Sequence, residues 1–182
     1  MSRHIIVLGM PGAGKDTQCD LLASKLKASV IKTGDIARSL AKTNTDVAQI
    51  LKNGGFVSDE LINAELKKIL HNASSQSDII YDGFPRRVAQ AQWLDEVLSE
   101  KESLQLSVFF LRISHATAQQ RLMNRGRADD TREVIENRLN VFMQETEPVL
   151  GYYRSSGRLV EIDGEPSVDS IHEQILKELG QA

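Results

Sequence analysis

The residues GMPGAGKDT (9–17) place three glycines ahead of a lysine and a hydroxyl. Glycine reaches positive φ without strain, so a turn through Gly9, Gly12 and Gly14 bares successive backbone N–H groups that can surround phosphate oxygens. Lys15 adds a compact positive charge, and the strand-like run before the loop and the helical run after it aim the amides at a helix amino terminus. The pattern GxxxxGK[ST] asks for a hydroxyl at position 16, where this chain has Asp16, followed by Thr17. A carboxylate about 5 Å from a phosphate charge costs on the order of 3 kcal/mol at an effective dielectric near 20. A helix amino terminus returns only about 0.3–1 kcal/mol to an anion. Asp16 is therefore expected to turn from the phosphates toward a nearby cation or metal-bound water.

Further along, TGDIAR (33–38) sets Thr33 and Arg38 five residues apart. That spacing lets a loop hydroxyl and a first-turn guanidinium face one ligand, although a helix cap with a solvated arginine fits it equally well. In DGFPRR (82–87), Asp82 ends a strand-like run beside the glycine loop and is placed to hold the water shell of a hard cation such as Mg²⁺. Arg86 and Arg87 suit bidentate contacts to phosphate oxygens; taken alone, the stretch also reads as a Gly-Pro turn with surface arginines. Arg121 and Arg125 are four apart on one helical pattern, a like-charge pair that calls for an anion nearby. RGRADD (125–130) alternates charge, which suits a loop that folds over phosphates and pairs with itself when empty, or an ordinary solvated charge run. Arg138 shares a helical stripe with Val134, Ile135, Val141 and Phe142, so it is expected to point inward and to need a partner.

These groups need a frame. Short runs rich in Ile, Val, Leu or Phe at 3–8, 29–31, 78–81, 106–111 and 158–162 read as strands separated by helical patterns. Such alternation, without hairpin signals, implies an α/β fold with a five-stranded parallel sheet covered on both faces and its ligand sites at the strands' carboxyl ends. Between the second and third strands lie helical patterns at 34–43, 46–53 and 59–72, punctuated by Gly54-Gly55 and expected to be capped by Thr45 and Ser58. This is more chain than a crossover needs. The chain reads as one domain, 1–182, in which 32–61 forms a mobile helical subdomain and 121–132 a short lid on the remaining core.

With 182 residues, 41% hydrophobic, 26% charged and a net charge of −3, the composition is that of an ordinary globular chain. The opening apolar run is too short for a signal peptide, and nothing in the sequence asks for a membrane. One cysteine, Cys19, excludes an internal disulfide and a thiolate-rich zinc site, and suits a reducing, cytoplasmic setting. Its spacing with Leu22, Ala23 and Leu26 makes it a buried helix residue. Nucleic acid would call for a broad basic surface with stacking aromatics, which a charge of −3 and 5% aromatic residues do not supply.

In this order and over nearly the whole chain, GMPGAGKDTQ, TGDIAR, DGFPRR with Gln90 after it, and RGRADDT followed by Arg138 resemble the adenylate kinases among the nucleoside monophosphate kinases. The resemblance implies a three-layer P-loop fold and reversible transfer from ATP to AMP giving two ADP, by a protein expected to be a monomer. It implies that Lys15 and the amides of Gly12, Ala13, Gly14, Asp16 and Thr17 hold the ATP phosphates, with Arg121 and Gly164 beside the ATP adenine. Asp82, with Asp16, would order water around Mg²⁺ without direct protein ligation. Arg38, Gly83 and Arg86 would hold the AMP phosphate. Arg125, Arg127 and Arg138 would surround the moving phosphoryl group, the last two also reaching AMP, so that Lys15, Arg86, Arg125, Arg127 and Arg138 form the catalytic set. Thr33, the backbone near Val57 and the amide of Gln90 would read the acceptor adenine; pyrimidine-specific relatives usually carry alanine and asparagine near the first and last of these positions. The lid is of the short form, without the zinc-binding insertion. In the family glycine usually follows the lysine and threonine comes next, so Thr17 supplies the hydroxyl and Asp16 is the departure. The alternatives are a UMP/CMP or other nucleoside monophosphate kinase, and a nucleotide-binding protein with little catalysis.

Overall fold

A computed structural model describes residues 2–73, 77–100, 104–126 and 130–181. Five parallel strands, β1 (Ser2–Gly9), β2 (Ser29–Lys32), β3 (Ile79–Asp82), β4 (Leu104–Arg112) and β5 (Leu159–Asp163), form one sheet in the order β2-β3-β1-β4-β5. The five expected strands are present, each with an end shifted by one or two residues. The central strand β1 is covered on both faces, so Ile5, Ile6 and Val7 are all fully buried and the run is continuously apolar rather than alternating. Register sets Val7 beside Asp82, Asp82 beside Lys32, and Gly9 beside Leu111. Chemically distinctive residues far apart in sequence thus meet at one carboxyl edge.

Helix α1 (Lys15–Leu26) starts directly from the glycine loop and buries Gln18, Cys19 and Leu22. Burial raises the Cys19 thiol well above its ordinary pKa, which bears out its reading as an inert helix residue. Between β2 and β3, α2 (Thr33–Ala41), α3 (Thr45–Lys52) and α4 (Asp59–Asn72) follow the three expected patterns. The cap of α3 differs from expectation. Asn44, not Thr45, is the cap, its Oδ1 accepting the N–H groups of Asp46 at 3.0 Å and Val47 at 3.1 Å, while Thr45 is already helical. Ser58 occupies the cap position of α4 with extended backbone, but its hydroxyl makes no capping bond.

After α5 (Val88–Ser99) and β4, helix α6 (His115–Arg125) begins at a Ser114 cap and ends at Gly126, where φ is 66°. Helix α7 (Arg132–Val141) begins at a Thr131 cap and runs through a π-helical turn (Phe142–Thr146) into α8 (Glu147–Ser155). Its buried stripe is Ile135, Leu139 and Phe142, with Val134 and Val141 only half-buried. Arg138 therefore sits on the flank of the apolar face rather than within it. Helix α9 (Val168–Glu178) covers α1, with Gln18 Nε2 donating to the Val168 carbonyl at 2.8 Å. No helix among the described residues is long and apolar enough to cross a membrane.

The cap assignment is testable: Asn44→Ala should cost about 1 kcal/mol and raise amide hydrogen exchange across α3, whereas Thr45→Ala should change stability by only a few tenths.

Candidate active site

A cavity of about 500 Å³ opens at the carboxyl edge of the sheet, between the glycine loop, α2 and the 51–56 turn on one side and α6, α7 and the π-turn on the other. Gly12 and Gly14 both have φ of 87°, a conformation side chains resist. A Cβ at Gly12 would also lie 3.0 Å from the Ala118 carbonyl, so the loop passes directly against α6. Ala13 is buried under the loop rather than facing the cavity. Lys15 folds back and its Nζ donates to the carbonyls of Gly9 at 2.9 Å and Met10 at 3.0 Å. Burial lowers its pKa, an effect opposed by Asp82 and Asp16. The ammonium is thus only lightly tied, by neutral acceptors that an anion can replace.

Asp16 does find a cation. Lys32, the last residue of β2, places Nζ 3.4 Å from Asp16 Oδ1 and 2.8 Å from Asp20 Oδ1. Its hydrogen bond to Asp20, with Asp16 adding to it, raises the lysine's pKa. Asp16 is also hydrogen-bonded to Asp82, and burial followed by this carboxylate neighbour pushes Asp82 up to about 7. Ionising both carboxyl groups side by side is unfavourable, which adds to the effect of burial.

Arg86 is fixed by its Nε donating to the Gly83 carbonyl at 2.7 Å and by stacking over Phe56, 4.6 Å from the ring centroid. Burial lowers its pKa; Asp82 opposes this, while Arg38 and Arg138 add to it. Arg38 is 59% exposed and pairs with Asp35 at 2.6 Å. Arg125 grips Asp130 with Nε at 2.9 Å and Nη2 at 2.8 Å, and Arg138 Nη1 reaches the same carboxylate at 2.6 Å. Asp130 is 1% exposed. Burial works against its charge, but the two arginines hold its carboxyl below the usual range. Arg121 donates to the carbonyls of Gly164 at 3.1 Å and Glu165 at 3.2 Å. Gly164 leaves no room for a Cβ, which would lie 2.9 Å from Ile113. Arg127 lies outside the described residues.

Thr33, Val57 and Gln90 line a second, smaller cavity of about 30 Å³ that shares Ala37, Phe56 and Arg86 with the first. Thr33 thus faces the smaller space and Arg38 the larger, and the Thr33 hydroxyl donates to the Gly83 carbonyl at 3.0 Å rather than capping α2. The volume suits water, not a purine.

Sequence reasoning missed four participants: Lys32, Phe56, Asp59 and, as a named partner, Asp130. Asp130 stood in the charge-alternating stretch, and its proximity to Asp82 across a parallel pair could have flagged Lys32. Phe56 and Asp59 gave no periodic signal.

A family model described as Adenylate kinase matches residues 7–158. The chain belongs to the adenylate kinase family. An adenylate kinase from Leuconostoc mesenteroides is 35% identical over 179 residues, 96% of each chain. One from Oenococcus oeni is 36% identical over 183 residues, 97% of each, and an adenylate kinase 1 from Nostoc sp. is 36% identical over 181 residues, 97% of this chain and 98% of its own.

For this adenylate kinase family member, the carboxylate pair gives a pH signature. Asp82 holds its proton more tightly folded than unfolded, so its contribution to stability is full below about pH 4 and is lost as pH rises through about 7. Asp16→Asn should lower the Asp82 midpoint toward the usual carboxylate range and flatten the stability loss between those pH values. Side-chain carboxyl ¹³C titration checks this; an unmoved midpoint would assign the shift to burial alone.

Proposed function

We infer that this chain catalyses reversible transfer of the terminal phosphoryl group of ATP to AMP, giving two ADP by direct in-line displacement with no phosphoenzyme. The observation that carries this reading is the charge of one cavity. Among the described residues, Lys15, Lys32, Arg38, Arg86, Arg121, Arg125 and Arg138 line it against only two carboxylates, Asp16 and Asp82, in a chain whose net charge is −3. Such a surplus of donors, held by carbonyls and by carboxylates that a phosphate can displace, suits a polyphosphate.

In this reading the glycine-loop amides from Gly12 to Thr17 and Lys15 take the ATP phosphates, and Arg121 flanks the ATP base beside Gly164. Arg38 and Arg86 take the acceptor phosphate. Arg125 and Arg138 exchange Asp130 for the transferred group, so that the charge developing on it meets donors already in place, and Arg127 is the third arginine assigned to that group. Thr33, Val57 and Gln90 take the acceptor adenine. No side chain here needs to form a covalent intermediate, and catalysis rests on positioning and on electrostatics.

Mg²⁺ fits the oxygen donors present. Asp82, Asp16 and the Thr17 hydroxyl face hard-cation chemistry, while among the described residues no cluster of three or more His, Cys, Asp or Glu could hold a metal unaided. A hydrated ion carried by the nucleotide meets that description, with Asp82 and Asp16 accepting from its water and Thr17 beside the phosphates. When bound, it would neutralise phosphate charge.

The smaller cavity is too small for adenine, which supports opening of the 32–61 subdomain for entry and its closure, with the 121–132 lid, to exclude water. In the present arrangement its tip touches α7, where Asn137 Nδ2 donates to the Asn53 carbonyl and Gly54 packs on Arg138. We also propose a monomer in the cytoplasm, since one chain supplies every described wall of the cavity and the single cysteine is buried.

A kinetic screen of donors and acceptors with Mg²⁺ tests the reading. ADP should form fastest from ATP and AMP; greater activity on UMP, or tight nucleotide binding without turnover, would overturn it. Arg86→Ala should lower kcat by about 10²- to 10³-fold in that assay. Asp16→Gly should alter the Mg²⁺ concentration dependence more than turnover at saturating metal, and a many-fold gain in turnover would show Asp16 to be a brake.

A further inference from the structure

Gln90, in the first turn of α5, is 4% exposed, and its amide is held at both ends. Its Oε1 accepts the Arg86 backbone N–H at 2.8 Å, and its Nε2 donates to Asp59 Oδ1 at 2.7 Å. A backbone N–H only donates and a carboxylate only accepts, so the two neighbours together fix which end of the amide points where; a neutral partner in place of the carboxylate would leave the Arg86 N–H alone to set the orientation. Asp59 is the first residue of α4, and Arg87 Nη1 holds the same Oδ1 at 2.8 Å. Arg87 Nε in turn reaches Glu145 Oε2, in the π-turn, at 2.8 Å. The carboxylate is therefore clamped from the core side while it orients a residue in the pocket wall.

An amide has two N–H groups and two acceptor lobes, and one of each is used here. One donor and one acceptor are left for the smaller cavity that Gln90 lines. Their order is not neutral. Adenine and cytosine present an exocyclic amino donor beside a ring-nitrogen acceptor, whereas hypoxanthine, guanine and uracil present a carbonyl acceptor beside a ring N–H. An amide turned end for end serves the opposite set equally well. We propose that Asp59, clamped by Arg87, is a specificity-determining positioning residue: it locks the Gln90 amide in the orientation that accepts amino bases and rejects oxo bases. Asp59 is absent from the lining of both cavities, so it acts through Gln90 and not on the nucleotide. The proposal rests on the reading that this pocket takes the acceptor base.

The test compares kcat/KM for AMP and IMP, which differ in the amino or oxo group at the recognised edge, across the intact protein, Asp59→Asn and Asp59→Glu. Asparagine keeps the size but can donate or accept, which removes one of the two constraints on the amide, so the AMP-over-IMP ratio should fall about three- to tenfold, through KM more than kcat. Glutamate remains acceptor-only and should keep the ratio. A variant set in which Asn leaves the ratio unchanged, lowers both acceptors alike, or is matched by Glu would overturn the proposal and leave the phosphotransfer reading standing. An unmutated protein that does not prefer AMP to IMP would overturn the pocket reading itself. Should Asp59→Asn fail to fold, a through-hydrogen-bond NMR coupling between Gln90 Nε2 and the Asp59 carboxyl carbon in the unmutated protein supports the lock, and its absence overturns it.

Discussion

Concentrating like charges in one cavity is the constraint on which the rest of this structure depends. Among the described residues, seven cationic side chains line about 500 Å³, and an unpaired buried charge is costly. The chain meets this locally. Lys15 rests on the carbonyls of its own loop, Arg86 on the Gly83 carbonyl and the Phe56 face, Arg121 on two carbonyls past β5, and Arg125 and Arg138 on a single buried carboxylate. Each partner is weaker than, or interchangeable with, a phosphate oxygen. The cavity is therefore already arranged as a donor set, in which a phosphate would replace existing acceptors instead of recruiting distant cations.

Asp16 shows the same logic from the opposite side. An added carboxylate in a phosphate loop is unfavourable by Coulomb's law, yet the parallel register of β2 beside β3 delivers Lys32 to it, and burial beside Asp16 raises the pKa of Asp82 so that fewer charges meet there. Both compensations come from the ends of later strands, Lys32 from β2 and Asp82 from β3. The loop keeps its geometry because Gly12 and Gly14 set the backbone, while Asp16 stays in the cavity wall with its charge met by Lys32.

Much of this was legible beforehand. Alternating strand and helix patterns gave the parallel sheet, because a strand buried on both faces must be continuously apolar and its return must cross over through a helix. The motifs at 9–17, 33–38, 82–87 and 125–138 named most of the charged residues of the cavity wall, since phosphate chemistry admits few residue types. Less legible were the details that depend on competition between near neighbours. Asn44 took the cap expected of Thr45 because its longer side chain reaches two helical amides from outside, and Arg138 sits on the flank of α7 because Leu139, not Val141, completes the apolar stripe.

The sequence by itself determined the fold class, the chemistry of the cavity and the identity of most of its cations, because these follow from periodicity and from glycines and charges at fixed local spacing. Only the tertiary structure decided how those charges are neutralised and aimed: Lys32 on Asp16, Asp130 between Arg125 and Arg138, Phe56 beneath Arg86, and Asp59 on Gln90. The physical reason is that pairing depends on distances between elements, which strand register and helix packing set and which no local spacing encodes. Asp59 and Gln90 are 31 residues apart in sequence and 2.7 Å apart in the fold.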